Sequence, residues 1–309
     1  MNRNRRSAAS LLAGLALLAL TSSATGESGA SPKVAPKAMA IVKPPLPAYD
    51  LASDIEARQR QAIAELGPRT DVQLVEGTFV VAAPGGRRAL ASAIDVTQRA
   101  LAAYFNGRFA HRPERAISVF LFPTARPYDA YCQKHDSAPC ISPYGYYTYG
   151  ERRIIMNVGP GIGTLTHELV HPLVEADFPG APDWINEGIA SLFEHFYFSA
   201  PGEIHGSKNW RYPRLAQALR SKTEREAATL PALFALSDQE FRGTQEDLNY
   251  ASARFFCQWL DQKKLLWPFY QRWRDHFAED RSGAKSFEAV YGKSIHEADA
   301  EWTAWALHL

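Results

Sequence analysis

Apolar positions recur along this chain with two different periods, and the balance between them changes near its middle. Thr78–Ala83 (TFVVAA) and Ile117–Phe122 (ISVFLF) are short runs rich in β-branched and aromatic residues, which predict strands. Arg87–Tyr104 and Ala125–Lys134 carry their apolar residues at helical spacing, the second after Pro123. Asp50–Leu66 has helical composition and stops at Gly67-Pro68. Pro143–Val158 (PYGYYTYGERRIIMNV) reads as a β-hairpin whose second arm is Arg152–Val158. Beyond Phe198 the pattern is helical throughout, with helices expected at Tyr212–Leu219, Leu230–Leu236, Tyr250–Lys263, Trp267–His276 and Ile295–Leu307. The whole predicts an α+β protein: a mixed α/β sheet part followed by a helical subdomain. No internal repeat is visible.

The first 48 residues follow a different pattern. Arg3, Arg5 and Arg6 precede a short Ala/Leu-rich run, Leu11–Leu20, and the small residues Ser22-Ser23-Ala24. That sequence reads as a secretory signal peptide over 1–24, with an uncleaved membrane anchor as the alternative. The apolar run is too short for an ordinary transmembrane helix, and no cysteine near the cut offers a lipid attachment point. Residues 25–48 are rich in Pro, Ala, Gly and Ser and read as a linker. The folded part then divides into 49–198, the α+β part, and 199–309, the helical subdomain. The expected location is periplasmic or secreted, with no stable membrane anchor after cleavage.

The candidate chemistry lies at His167-Glu168-Leu169-Val170-His171, an H-E-x-x-H run. On a helix, positions i and i+4 share a face, so His167 and His171 can aim two imidazoles at one metal ion. Glu168 sits about 100° away around the helix, where it can take a proton from a water without being a ligand. Two histidines leave a tetrahedral site short of one protein ligand. Glu187, in Trp184-Ile185-Asn186-Glu187-Gly188-Ile189-Ala190-Ser191, can supply it. Asp183 after Pro182 reads as the N-cap of that second helix. Trp184, Ile185, Ile189, Leu192, Phe193 and Phe196 are spaced to bury its apolar face, and Pro172 is expected to kink or tighten the first helix beyond the ligand turn. Ser191, one turn after Glu187, could stand behind the site.

HELVH followed by WINEGIA resembles the gluzincin metallopeptidases, and most of all the bacterial proteins called peptidase MA-like. The resemblance covers roughly residues 150–309. It implies a zincin-like metalloprotease domain binding one Zn²⁺ through His167, His171 and Glu187, with Glu168 as general base and a peptide or protein as substrate. It also offers Tyr250 as the oxyanion partner; the alternative is a tyrosine packed at an interface. Ile154–Val158, by the same analogy, is a candidate substrate-side edge strand. Tyr144, Tyr146, Tyr147 and Tyr149 could form a flap over the site, or pack as ordinary hairpin aromatics. Three features depart from the family: the short interval between His171 and Glu187, a serine at 191 where thermolysin-like enzymes carry a carboxylate, and Pro172. Asn186 and Gly188 read as packing residues, Glu194 as a solvated helix residue, and His195 as outside the ligand set. Met156-Asn157 lacks the acidic residue that holds a free amine in the aminopeptidase branch, so endopeptidase action is expected. A non-catalytic module of the same fold, binding peptide or cell-envelope material, is the competing function.

Composition changes this picture little. The 309 residues carry a net charge of +1, which gives no basic surface for nucleic acid. With export, Cys132 and Cys140 are close enough in sequence to form a disulfide around QKHDSAP, while Cys257 lies in an apolar helical run and reads as a buried thiol. Substrate identity and oligomeric state are not readable.

Overall fold

Asp50 starts the first element. Its carboxylate accepts from the N–H groups of Ala52 at 3.0 Å and Ser53 at 3.4 Å, capping α1 (Leu51–Leu66), and Gly67 ends the helix at φ 103°. The computed structural model describes residues 48–84 and 87–309. The expected signal peptide (1–24), nearly all of the expected linker (25–48) and Gly85-Gly86 lie outside the described residues.

Next come β1 (Asp71–Val75), β2 (Phe79–Ala83), α2 (Arg87–Tyr104), β3 (Ile117–Phe122), α3 (Ala125–His135), β4 (Gly145–Thr148) and β5 (Arg153–Asn157). The five strands form one mixed sheet in the order β1-β2-β3-β5-β4. β2, β3 and β5 run parallel, while β1 and β4 pair antiparallel at the two edges. Strand residues alternate between faces. Val119, Leu121, Ile154 and Met156 join the large core beneath α2, while Phe120, Phe122 and Ile155 join Ala62 of α1 and Tyr128 and Tyr131 of α3 in a smaller one. Both faces are therefore covered, and β2, β3 and β5 are buried along their whole length. A Cys132–Cys140 disulfide fastens α3 to the loop leading into β4.

This strand order corrects one expectation. β5, which contains most of Ile154–Val158, is interior, hydrogen-bonded to β3 on one side and β4 on the other. Its backbone groups are spent, and β4 is the outer strand.

The central helices follow: α4 (Gly163–Glu168), α5 (Val170–Asp177) and α6 (Asp183–Leu192). A small hairpin, β6 (Phe196–Tyr197) with β7 (His205–Gly206), interrupts what was expected to be purely helical chain. Then come α7 (Tyr212–Arg220), a 3-10 turn at Arg225–Ala228, α8 (Leu230–Ala235), α9 (Asp238–Phe241), α10 (Glu246–Gln262), α11 (Leu266–Asp275), α12 (Ala284–Tyr291) and α13 (Ile295–His308). The four-residue α9 and the eight-residue α12 are not among the helices expected from sequence. Tyr49–Leu309 form one compact unit, and the large core runs continuously from the sheet into these helices. Among the described residues no helix is long and apolar enough to cross a membrane.

α6 lies in the middle of this arrangement. Every residue from Trp184 to Leu192 is buried, so the helix has no solvated face. Trp184 packs against Phe234, Phe256 and Trp273 with ring centroids 5.0, 5.6 and 5.2 Å apart. On the face toward α10 the backbones come unusually close. A Cβ at Gly188 would stand 2.9 Å from the Ala253 carbonyl oxygen and 3.0 Å from Cys257 Sγ. Glycine is there because nothing larger fits. Gly→Ala inside a helix ordinarily stabilises by roughly 0.5–1 kcal/mol. Here Gly188→Ala is expected to destabilise by about 1–3 kcal/mol through overpacking. Urea unfolding checks this, and an unchanged or higher midpoint would contradict the close approach of α6 to α10.

Candidate metal centre

The helix carrying the histidines is divided at Leu169, between α4 and α5, although Leu169 keeps helical dihedrals of −65° and −23°. Pro172 has no N–H to offer the Glu168 carbonyl, and the backbone is otherwise continuous there, with the Leu169 N–H donating to the Leu165 carbonyl at 3.0 Å. The helical path survives, and His167 and His171 still share a face, with ring centroids 5.1 Å apart.

α6 opens one residue earlier than expected. Pro182 holds the cap position and Asp183 is the first helical residue. Its N–H is satisfied by Asp238 Oδ1 at 2.8 Å, a cap supplied from α9 that sequence neighbours could not reveal. Glu187 then faces the histidines. Its Oε2 lies 3.4 Å from His167 Nε2, and one donor atom each from His167, His171 and Glu187 fall within 4.8 Å of one another. Ligands about 2.1 Å from a tetrahedral ion stand roughly 3.4 Å apart, the separation found between His167 Nε2 and Glu187 Oε2. Glu187 Oε2 is buried and finds no hydrogen-bond partner among the described residues, the condition of an oxygen reserved for a cation. The group could hold a metal ion. Two imidazoles and one carboxylate suit zinc and several other first-row ions.

The groups behind these ligands differ from expectation in two places. Asn186, read as a packing residue, places Oδ1 3.0 Å from His171 Nδ1. A carbonyl oxygen only accepts, so Nδ1 carries the proton and Nε2 keeps its lone pair for an ion. Asn186 Nδ2 in turn donates to the Tyr149 hydroxyl at 3.1 Å. Glu194, read as solvated, is largely buried in the turn after α6, with Oε1 3.5 Å from His167 Nδ1. Arg211 holds it bidentately, through Nε at 3.0 Å and Nη2 at 2.8 Å. Gly163 permits this approach, because a Cβ there would overlap the Glu194 carbonyl. Ser191 is buried, but its hydroxyl makes no hydrogen bond among the described residues. The carboxylate that Ser191 lacks thus arrives three residues later. His195 turns away, its Nδ1 2.6 Å from Ser207 Oγ, as its omission from the ligand set implied.

These groups line an open cavity of about 800 Å³. Glu168 borders it, with Oε2 3.8 Å from His171 Nε2. Burial raises the Glu168 carboxyl above the ordinary carboxylate value, against the pull of both histidines. Tyr144, Tyr146, Tyr147, Tyr149 and Tyr250 are all on the wall. Tyr146 and Tyr147 are buried, while Tyr144 and Tyr149 are about half exposed. Tyr250 does not open its helix; α10 begins at Glu246, one turn earlier. Arg242, which no local pattern singled out, donates from Nη2 to Glu187 Oε1 at 2.7 Å, from Nε to Asp183 Oδ2 at 2.9 Å, and from Nη1 to the Tyr250 hydroxyl. Burial holds the Tyr250 phenol well above its ordinary value, so it remains a hydrogen-bond donor.

Compared with known proteins, the chain matches no family model and no curated protein sequence. The geometry of the site is therefore the basis for its reading.

With no ion counted, the electrostatics give a pH signature. Burial alone would lower His167, but Glu187 and Glu194 raise it from 6.5 to about 10. Burial alone would raise Glu194, but His167 and Arg211 lower it from 4.5 to about 2. A raised base stabilises below its unfolded pKa and loses that contribution as pH climbs through the folded one; a depressed acid does the reverse. Chelator-treated protein is thus expected to lose stability from pH 6.5 toward 10 and again from pH 4.5 toward 2. Glu194→Gln should flatten both limbs in urea unfolding measured across that range, and an unchanged profile would contradict the His167–Glu194 coupling.

Proposed function

We propose that this chain is an exported zinc metallopeptidase of zincin-like fold that cleaves internal peptide bonds. One observation carries the reading: His167, His171 and Glu187 converge, buried, at the floor of an open cleft, with the Glu168 carboxylate beside them. Bound zinc would supply Lewis acidity, making a water acidic enough to attack near neutral pH. Glu168 would act as the proton carrier, accepting a proton from the attacking water and passing it to the leaving amine, and its burial raises its affinity for that proton. The Tyr250 phenol donates to the oxygen of the carbonyl under attack. Arg242 donates to the phenol oxygen, which leaves the phenolic hydrogen free to point into the cleft.

The outer strand supports peptide binding. β4 lines the cleft with Gly145, Tyr146 and Tyr147, and an edge strand can pair with an extended chain. Three carboxylates border the cleft, Glu168, Glu187 and Glu194. The last two are committed to His167, Arg242 and Arg211, which among the described residues leaves no spare acid on the cleft to hold a free N-terminus. That favours internal cleavage. The Cys132–Cys140 disulfide fits an oxidising compartment and so supports export.

Purified protein is expected to hold about one zinc per chain, lost or sharply weakened in His167→Ala and Glu187→Ala. Glu168→Gln should retain zinc and lose roughly 10²-fold or more of peptide turnover. Tyr250→Phe should retain zinc and lower kcat by about 10²–10³ with little change in KM. Metal analysis and a quenched-fluorescence peptide library read all four; a wild-type chain without zinc, or zinc indifferent to both ligand changes, would sink the proposal.

A further inference from the structure

Glu187 has two carboxylate oxygens, and the site treats them differently. Oε2 is turned toward His167 Nε2 at 3.4 Å and is otherwise unpartnered, while Oε1 accepts from Arg242 Nη2 at 2.7 Å. The guanidinium that makes this bond is itself held at every nitrogen. Its Nε donates to Asp183 Oδ2 at 2.9 Å and its Nη1 to the Tyr250 hydroxyl. A planar fork bound at three points has one orientation.

The backbone behind Arg242 is pinned as well. Arg242 follows α9, whose start is closed by a capping box between Ser237 and Glu240. Asp238 of the same segment accepts from the Asp183 N–H at 2.8 Å. The contacts run both ways: α9 caps the N-terminus of α6, and the first residue of α6 grips the arginine that follows α9. Tyr250, one turn into α10, meets Phe241 with ring centroids 4.9 Å apart, so the phenol is braced against the same segment.

We infer that Arg242 is a positioning residue that restricts Glu187 to one-oxygen ligation through Oε2 and fixes the third ligand relative to the Tyr250 hydroxyl. With Oε1 spent on the guanidinium, Glu187 cannot close both oxygens around an ion, and a coordination position stays open for water and substrate. The same guanidinium reaches the oxyanion donor, so ligand and donor share one rigid reference. This inference rests on the metal-site reading above and adds to it a residue outside both metal-binding segments.

The test is metal binding, with activity as a second readout. Zinc affinity is measured by chelator competition, and the cobalt(II)-substituted protein is examined by visible absorption, which reports coordination number. Arg242→Gln is expected to weaken zinc binding by about 10–100-fold, the usual consequence of removing a group that orients a ligand. It should also change the cobalt spectrum as Glu187 gains freedom. Arg242→Lys keeps the charge but lacks the fork, and should recover affinity only in part. Asp183→Asn loosens Arg242 without touching Glu187 and should act in the same direction by a smaller factor. The Arg242 side chain is 43% exposed, so Arg242→Gln opens no core cavity, and circular dichroism and urea unfolding of each variant separate loss of fold from loss of metal. Wild-type zinc affinity and an unaltered cobalt spectrum in Arg242→Gln would overturn the role of Arg242 while leaving the metal site standing. Absence of zinc from the wild-type chain would overturn the metal reading itself.

Discussion

The negative charge of Glu187 has to be balanced on a side chain only 7% exposed at the floor of the cleft. α6 is buried on every side from Trp184 to Leu192, and an ionised carboxylate in such a helix costs several kcal/mol unless it is paired. Its partners come from separate parts of the chain: His167 from α4, His171 from α5 and Arg242 from the segment after α9. Burial alone would raise the Glu187 carboxyl, yet these neighbours hold it far below the ordinary range. The arrangement works only as a set. Without these neighbours burial would favour the protonated carboxyl, and without the carboxylate the Arg242 guanidinium would lose its buried partner.

Keeping such a set in register requires a rigid frame, and the packing around α6 supplies one. Gly188 lets α10 close against it, Trp184 locks it into the aromatic cluster, and Thr166 Oγ1 donates to the Phe193 carbonyl at 2.6 Å, tying α4 to its far end. The sheet contributes the opposite wall through β4, while β5 behind it is fully paired. The exposed and adaptable parts, Tyr144 and Tyr149 among them, are at the rim. Ligands on helices and a binding surface on an edge strand is the division a precise site needs.

Much of this was legible in the chain, and the reason is locality. α2, β3, α11 and α13 follow from periodicity over ten or fewer neighbours, and the H-E-x-x-H face follows from one helical turn. What failed was what tertiary structure decides. Family analogy makes β5 a substrate-edge candidate, yet RIIMN has no polar alternation, the mark of a strand covered on both faces. Its neighbour β4, with the more polar tyrosines, is the outer strand. Asp183 looked like a cap because its true cap, Asp238, is far along the chain.

Glu194 and Glu187 show where the boundary lies. Glu194 is followed by His195, which is exposed, and is buried only because Gly163 and Arg211 meet it from distant segments, so nothing local sets it apart from a surface acid. Glu187 is different. The residues around it, Trp184, Ile185, Ile189 and Ala190, leave its helix no solvated side, and an acid there has no structural purpose of its own. A buried charge is visible in sequence when its own helix is too apolar to be on the surface. When burial is imposed by other segments, as for Glu194 and for the arginine contacts that balance both acids, only the folded chain reveals it.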